Sequence, residues 1–119
     1  MITGLGGSTI WSQDLNNLLP FYRDTLDLKT SIETPRFVVF GDLTTPTLAL
    51  GTHSEVRGPA SDPYRHTVVL ASDNVDADFE RLRGSGVEFI EQPTQYDSVR
   101  ITTLKDPEGN LIQLLQQTG

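Results

Sequence analysis

Apolar residues recur every three or four positions in two stretches of this chain, a spacing typical of amphipathic helices packed against a sheet. Each stretch follows a residue type that favours helix N-termini, Asp14 in the first and Asn74 in the second. The pattern predicts helices near residues 14–27 and 74–84. Pro20 lies inside the first helix and removes a backbone donor, so we expect that helix to bend or to start late.

Short strand-like runs surround both helices in the same order. Residues 7–28 and 67–87 repeat each other with an offset of 60 residues. Three apolar runs follow each helix, at 28–33, 36–41 and 46–52 in the first half and at 87–92, 98–105 and 110–116 in the second. The order predicts an α+β fold made of two βαβββ modules, residues 1–52 and 65–119, joined within one domain by a Gly- and Pro-containing linker at 53–64.

Length and charge narrow the possible partners. The 119 residues suffice for one core, and sixteen acidic against nine basic side chains give a net charge of −7. Such a chain repels a phosphate backbone, so we expect no nucleic-acid partner. It contains no cysteine, no apolar run long enough to span a bilayer and no basic segment before an apolar core near its start. We therefore expect a cytoplasmic protein with no membrane partner.

A turn motif near the end of the chain introduces the last strand. In the segment Asp106-Pro107-Glu108-Gly109-Asn110, Pro fixes φ, Gly accepts a positive φ, and Asp and Asn can hydrogen-bond their own backbone. An apolar strand containing Gln113 follows at once. Two further motifs stand earlier in the chain, Phe21-Tyr22-Arg23-Asp24 before Leu26-Asp27-Leu28, and Gly86-Val87-Glu88-Phe89.

Together these motifs resemble those of the vicinal-oxygen-chelate superfamily, which includes glyoxalase I, extradiol dioxygenases, fosfomycin-resistance enzymes and bleomycin-resistance proteins. The resemblance covers nearly the whole chain and implies an open, eight-stranded, barrel-like arrangement of the two modules. It also implies a homodimer, since the family commonly dimerises. One departure is Asp27, which stands where the family usually has Gly.

A second departure concerns metal binding. Metal-dependent members of the family place His, Gln or Glu at four inward positions, which the resemblance maps onto Gly7, Ala49, Thr67 and Gln113. Three of these residues are not ordinary ligands, and Gln113 replaces the usual Glu. We therefore expect no metal cofactor. The alternative is one divalent ion held by His66 and Gln113 with an additional carboxylate, which requires the strand to slip by one residue so that His66 turns inward. His53, at the start of the linker, is interpreted as a solvated loop residue.

A cup without metal can still bind a ligand. Strand alternation turns one set of side chains inward, and these are the predicted ligand-binding residues: Thr9, Trp11, Thr67, Val69, Ala71 and Gln113. The single Trp offers a flat face for an aromatic or cationic molecule, although it could instead fill the core. No catalytic residue is predicted.

Three functions remain open. The first is reversible binding and sequestration of a small molecule, such as an antibiotic or another aromatic or cationic ligand, by a metal-free homodimer of the bleomycin-resistance type. The second is a glyoxalase-group lyase, isomerase or dioxygenase that uses a divalent metal. The third is a degenerate, non-catalytic scaffold that acts through surface contacts.

Overall fold

The chain alternates between strands and short helices as the sequence predicts. The structure, a computed structural model, describes all residues from 1 to 119. Its strands are β1 Gly7–Ser12, β2 Thr30–Glu33, β3 Phe37–Phe40, β4 Thr47–Thr52, β5 Thr67–Ala71, β6 Phe89–Tyr96, β7 Val99–Lys105 and β8 Leu111–Gln117. The one α-helix, α1, is Val75–Gly84, and three shorter helical segments are Leu15–Asn17, Pro20–Thr25 and Pro63–Arg65. No helix is long and apolar enough to cross a membrane.

The eight strands form two four-stranded sheets with the same strand order. The first sheet has the order β1-β4-β3-β2, and the second has the equivalent order β5-β8-β7-β6. In each sheet the first strand runs parallel to the fourth, and the remaining neighbours are antiparallel. This repeated topology confirms the predicted α+β fold of two βαβββ modules. Backbone contacts divide the chain into two compact units, Met1–Gly58 and Pro59–Gly119.

In the N-terminal unit, one face of the sheet packs against the helical segments that follow β1. We call this the back face and the opposite one the front face, and use the same terms for the C-terminal unit, where α1 covers the back face. The ring of Tyr22 is fully buried and lies 6.3 Å from that of Phe40, centroid to centroid. The other buried apolar residues of this back-face core are Ile10, Leu15, Leu18, Leu19, Val38, Leu48 and Leu50. Leu26, which belongs to the same amphipathic stretch of the sequence, is half-buried.

The helix expected over residues 14–27 is broken into two pieces. Asp14 caps a 3-10 turn at Leu15–Asn17 by accepting from the backbone N–H of Asn16, and a π-helix then begins at Pro20. Wide turns of this kind accommodate an interruption of the ordinary α-helical ladder. Pro20 supplies that interruption because it lacks an N–H, as the sequence suggests.

In the C-terminal unit, α1 begins as predicted. The Asn74 side chain accepts from the backbone N–H of Ala77 at 3.0 Å, and the helix buries Val75, Phe79 and Leu82 against the back face. On the solvent side, Arg100 of β7 donates two hydrogen bonds to Asp76, at 2.7 and 2.9 Å. This pairing lowers the pKa of the Asp76 carboxyl below its ordinary value.

Both turn motifs singled out in the sequence have identifiable physical causes. The buried Asp106 carboxylate accepts from the backbone N–H of Glu108 and Asn110, both at 2.9 Å, and from the Asn110 side chain at 2.8 Å, while Gly109 has a φ of +83°. Asp27 has a φ of +60°, a region that few non-glycine residues occupy. The position where the family usually has Gly therefore needs a left-handed backbone here as well.

Candidate functional site

Trp11 anchors an aromatic cluster on the front face of the N-terminal unit. Its ring lies over Gly51, the residue beside it on β4, with 45% of the side chain exposed. The Phe37 ring lies 6.3 Å from it, tilted by 39°, and the His53 ring lies 5.4 Å away at 76°, an edge-to-face contact. The cluster therefore offers a flat, apolar surface bounded on two sides by other rings.

Gly51 is what allows the Trp11 ring to approach strand β4 so closely. A Cβ atom at this position would overlap Cζ3 of Trp11 and would lie 2.8 Å from its Cε3 and 3.1 Å from Cδ1 of Phe37. Any side chain at residue 51 would thus push the indole away from the strand. Thr9 stands one step along the same face, beside the small, buried Ala49.

His53 is an exposed loop residue, as the sequence suggests, but it also joins the aromatic cluster. It is exposed and follows β4 directly, but its backbone N–H donates to the carbonyl of Ser12 at 3.0 Å and its Nδ1 accepts from the backbone N–H of Glu55 at 3.0 Å. The first bond holds the backbone of residue 53, and the second orients the imidazole beside Trp11. The sequence gives no sign of this contact because it joins residues 42 positions apart.

A row of four residues crosses the front face of the C-terminal unit. Val69 of β5 lies beside Gln113 of β8, Gln113 lies beside Thr103 of β7, and Thr103 lies beside Glu91 of β6. Val69 is 50% exposed, whereas Gln113 and Glu91 are half-buried. The row therefore passes from an apolar end through an amide and a hydroxyl to a carboxylate. The other two predicted residues of this unit, Thr67 and Ala71, flank Val69 on β5 and lie beside Leu111 and Leu115.

Glu91 is held in place more firmly than its sequence context suggests. The register of β6 shifts on both sides of it, between residues 89 and 91 and between 91 and 94, and the buried Thr102 hydroxyl donates to its backbone carbonyl at 2.7 Å. Its carboxylate accepts from the Thr103 hydroxyl at 3.2 Å through Oε1 and from the Tyr96 hydroxyl at 2.5 Å through Oε2. The hydrogen bond to this anion raises the pKa of Tyr96, and desolvation adds to the effect. Sequence analysis missed Glu91, although Pro93 inside the strand is a signal for irregular pairing.

The residues at the four expected metal positions do not fit a divalent ion. Gly7 and Ala49 have no donor atom in their side chains, and Thr67 and Gln113 offer one neutral hydroxyl and one neutral amide. Iron, nickel, zinc and manganese sites are built from imidazole, thiolate or carboxylate ligands. No group of three or more His, Cys, Asp or Glu side chains in the structure is arranged to hold a metal.

His66 does not join Gln113. It is exposed, precedes β5, and Gln113 lies beside Val69, three residues further along. Three residues of extended chain correspond to about 10 Å. The one-residue slip that the metal alternative requires is absent, since Thr67 rather than His66 is the residue paired with Leu111.

Two recesses lie at sheet edges, one in each unit. One, of about 410 Å³, is lined by the helical segment and the β2–β3 turn of the N-terminal unit, where Arg23 pairs with Glu33 and Asp24. The other, of about 330 Å³, lies between α1 and the start of β6 and is lined in part by Phe79, Phe89 and Glu91. Neither contains any of the predicted ligand-binding residues, so the front faces rather than these grooves carry the predicted site.

The class of this protein is defined by its duplicated modules, their shared strand order and the closing turn. Comparison with known families identifies that class. The model of the Glyoxalase/Bleomycin resistance protein/Dioxygenase superfamily matches residues 4–114. The chain belongs to this superfamily. No curated protein sequence matches it.

Solved structures with the same fold include two from Streptomyces sp. CB03234. TnmS3, an antibiotic binding protein, is 24% identical with a TM-score of 0.79, and the match covers 98% of each chain. A glyoxalase/bleomycin resistance protein is 24% identical with a TM-score of 0.76, covering 95% of this chain and all of the other. A glyoxalase/bleomycin resistance protein/dioxygenase from Nocardioides is 21% identical with a TM-score of 0.71, covering 99% of this chain and 85% of the other.

Proposed function

We propose that this protein binds a small aromatic molecule reversibly, without metal, and sequesters it rather than transforming it. The observation that carries the proposal is the exposed Trp11 ring, which packs closely against Gly51 and contacts Phe37 and His53. A ring held in place by these neighbours loses little conformational entropy when a ligand stacks on it. The antibiotic-binding function of TnmS3, a protein of the same fold, makes an antibiotic a reasonable ligand class to test first.

The metal-free part of the proposal rests on the side chains at the four expected ligand positions. A glycine, an alanine, a threonine and a glutamine cannot replace the imidazole and carboxylate set of a divalent site. A lyase, isomerase or dioxygenase of the glyoxalase group remains the alternative. Elemental analysis after dialysis distinguishes the two, because near-stoichiometric divalent metal in the purified protein would contradict the metal-free proposal.

The single Trp of the chain makes the binding proposal directly testable. Trp11 emission should change on titration with flat aromatic compounds. Calorimetry should show that Trp11→Ala weakens the binding of the same compound by about tenfold or more, which corresponds to about 1.4 kcal/mol per factor of ten. Tyr64→Ala is the matched control, since it removes an aromatic residue that is 73% exposed and lies outside the cluster. Unchanged emission across a broad library of aromatic and cationic compounds would favour the scaffold alternative.

The proposal includes the homodimer and the cytoplasmic location expected from the sequence. Light scattering coupled to size exclusion measures the first, and a value for one chain of 13.2 kDa would contradict it. Fractionation of the native cell measures the second.

A further inference from the structure

The strongest feature that the proposed function does not use is Glu91, on the front face of the C-terminal unit. An edge-strand carboxylate would ordinarily rotate freely into water. Here the two register shifts in β6 and the Thr102 hydroxyl bond fix the backbone, and Thr103 and Tyr96 fix the side chain. Bulges of this kind redirect side chains and are over-represented next to functional sites.

The carboxylate retains capacity for a further partner. Each oxygen has two acceptor positions, and Oε1 and Oε2 each accept one hydroxyl hydrogen bond. No cationic side chain pairs with Glu91, although eight other carboxylates of the chain form ion pairs. The remaining positions can accept from an O–H or an N–H donor, and a charged N–H donor makes the stronger bond.

The rest of the row gives the ligand a size and a shape. Val69, Gln113, Thr103 and Glu91 occupy four neighbouring strands, so the row spans three inter-strand spacings, about 14 Å. The Gln113 amide makes no hydrogen bond inside the chain and lies between the apolar and the anionic ends. Gln113 can then orient a polar group of the ligand, while the exposed Val69 contacts its apolar part.

We infer that the front face of the C-terminal unit binds the cationic, N–H-bearing end of a flat aromatic molecule, with Glu91 as the anchoring anion and Tyr96 and Thr103 as its positioning residues. The inference rests on the proposed function in one respect, since it specifies the charge class of the aromatic ligand. It adds a specificity-determining residue that stands on β6, apart from the six predicted ligand-binding positions.

The test compares two probes of nearly equal shape at slightly alkaline pH, namely 9-aminoacridine, a cation with N–H donors, and acridine, which is neutral. Calorimetry should show that the protein prefers the cation by about tenfold or more. Glu91→Gln should reduce this preference to within about twofold and leave acridine binding unchanged. Asp73→Asn is the matched control, because it removes the same charge from an exposed carboxylate of the same unit that has no side-chain partner, and it should retain the preference.

Two further measurements make the result decisive if Glu91→Gln folds poorly. Tyr96→Phe removes only the hydroxyl of a half-exposed side chain and should lower the preference about threefold, because the carboxylate is no longer held. In the unaltered protein, 9-aminoacridine should shift the NMR signals of the Gln113 side-chain amide, identified by their loss in Gln113→Leu. A preference that Glu91→Gln or Tyr96→Phe leaves intact, or an unshifted Gln113 amide, would overturn the inference.

The outcome is separable from that of the proposed function. Trp11 emission and the Trp11→Ala variant report on stacking in the N-terminal unit, whereas the ratio between the two acridines reports on Glu91. Binding of acridine without discrimination between the probes would retain the proposed function and refute the inference. Unchanged Trp11 emission together with a preference for the cation that depends on Glu91 would refute the proposed function and retain the inference.

Discussion

Replacing Gly51 with Ala tests the central geometric feature of the aromatic cluster. The added methyl group would overlap Cζ3 of Trp11 and lie 2.8 Å from Cε3, closer than real Cβ contacts allow. Because Trp11 is 45% exposed, the indole can relieve the overlap by moving toward solvent. It would then lose its contacts with Phe37 and His53.

The change in the free energy of unfolding caused by Gly51→Ala follows from two opposing effects. Overpacking a well-ordered site costs about 1–3 kcal/mol. Exchanging Gly for Ala also reduces the conformational entropy of the unfolded chain, which stabilises the fold by about 0.4–1 kcal/mol. The expected net result for Gly51→Ala is a loss of about 1–2 kcal/mol in the free energy of unfolding, together with a red shift of Trp11 emission as the ring becomes more hydrated.

Urea denaturation followed by circular dichroism measures the first quantity, and the native-state emission spectrum measures the second. Gly84→Ala is the matched control, since an added Cβ there meets no atom within 4 Å and the residue lies at the end of α1. This control should be neutral or stabilise the protein by up to about 1 kcal/mol. If Gly51→Ala matched the control in both stability and emission, the close packing of Trp11 against residue 51 would be refuted.

Three further predictions concern the turns and the Tyr96 hydroxyl. Asp106→Ala should lower the free energy of unfolding, measured by urea denaturation, by about 2–4 kcal/mol, because the N–H donors of Asn110 lose their acceptor. Asp106→Asn should cost less. An alanine variant as stable as the unaltered protein would contradict this prediction. Asp27→Gly should raise thermal stability by about 0.5–1 kcal/mol through relief of the positive φ, and Asp27→Ala should not. Tyr96 should ionise above its ordinary pKa, because its hydroxyl donates to Glu91. The measurement is an absorbance titration of the unaltered protein from which the titration of the Tyr96→Phe variant is subtracted. Since the folded-state pKa is raised, this hydrogen bond stabilises the fold fully below the unfolded pKa of about 10 and is lost as pH rises through the folded value; ionisation at or below pH 10 would refute it.

Local chemistry made much of the fold readable from the sequence. The Asn74 cap, the apolar stripe of α1 and the turn at residues 106–110 depend on residues within a few positions of one another, and the structure contains all three. The order of elements along the chain could be predicted because the same βαβββ pattern occurs twice. The π-helix at Pro20–Thr25 could be predicted only in part. Pro20 indicates an interruption of the helix, but the structure has a wider helical turn there rather than a bend, with Tyr22 packed against Phe40.

The candidate site depended on contacts that the sequence does not display. Trp11, Phe37, Gly51 and His53 come from three strands and the loop after one of them, and only the register of β1, β3 and β4 brings them together. Glu91 acquires its fixed orientation from hydroxyl groups on β7 and at the end of β6, across a bulge that no local pattern specifies. Periodicity determined which face each strand residue occupies, because side chains alternate along a strand. Tertiary structure decided which residues share that face, because pairing between distant segments sets the register.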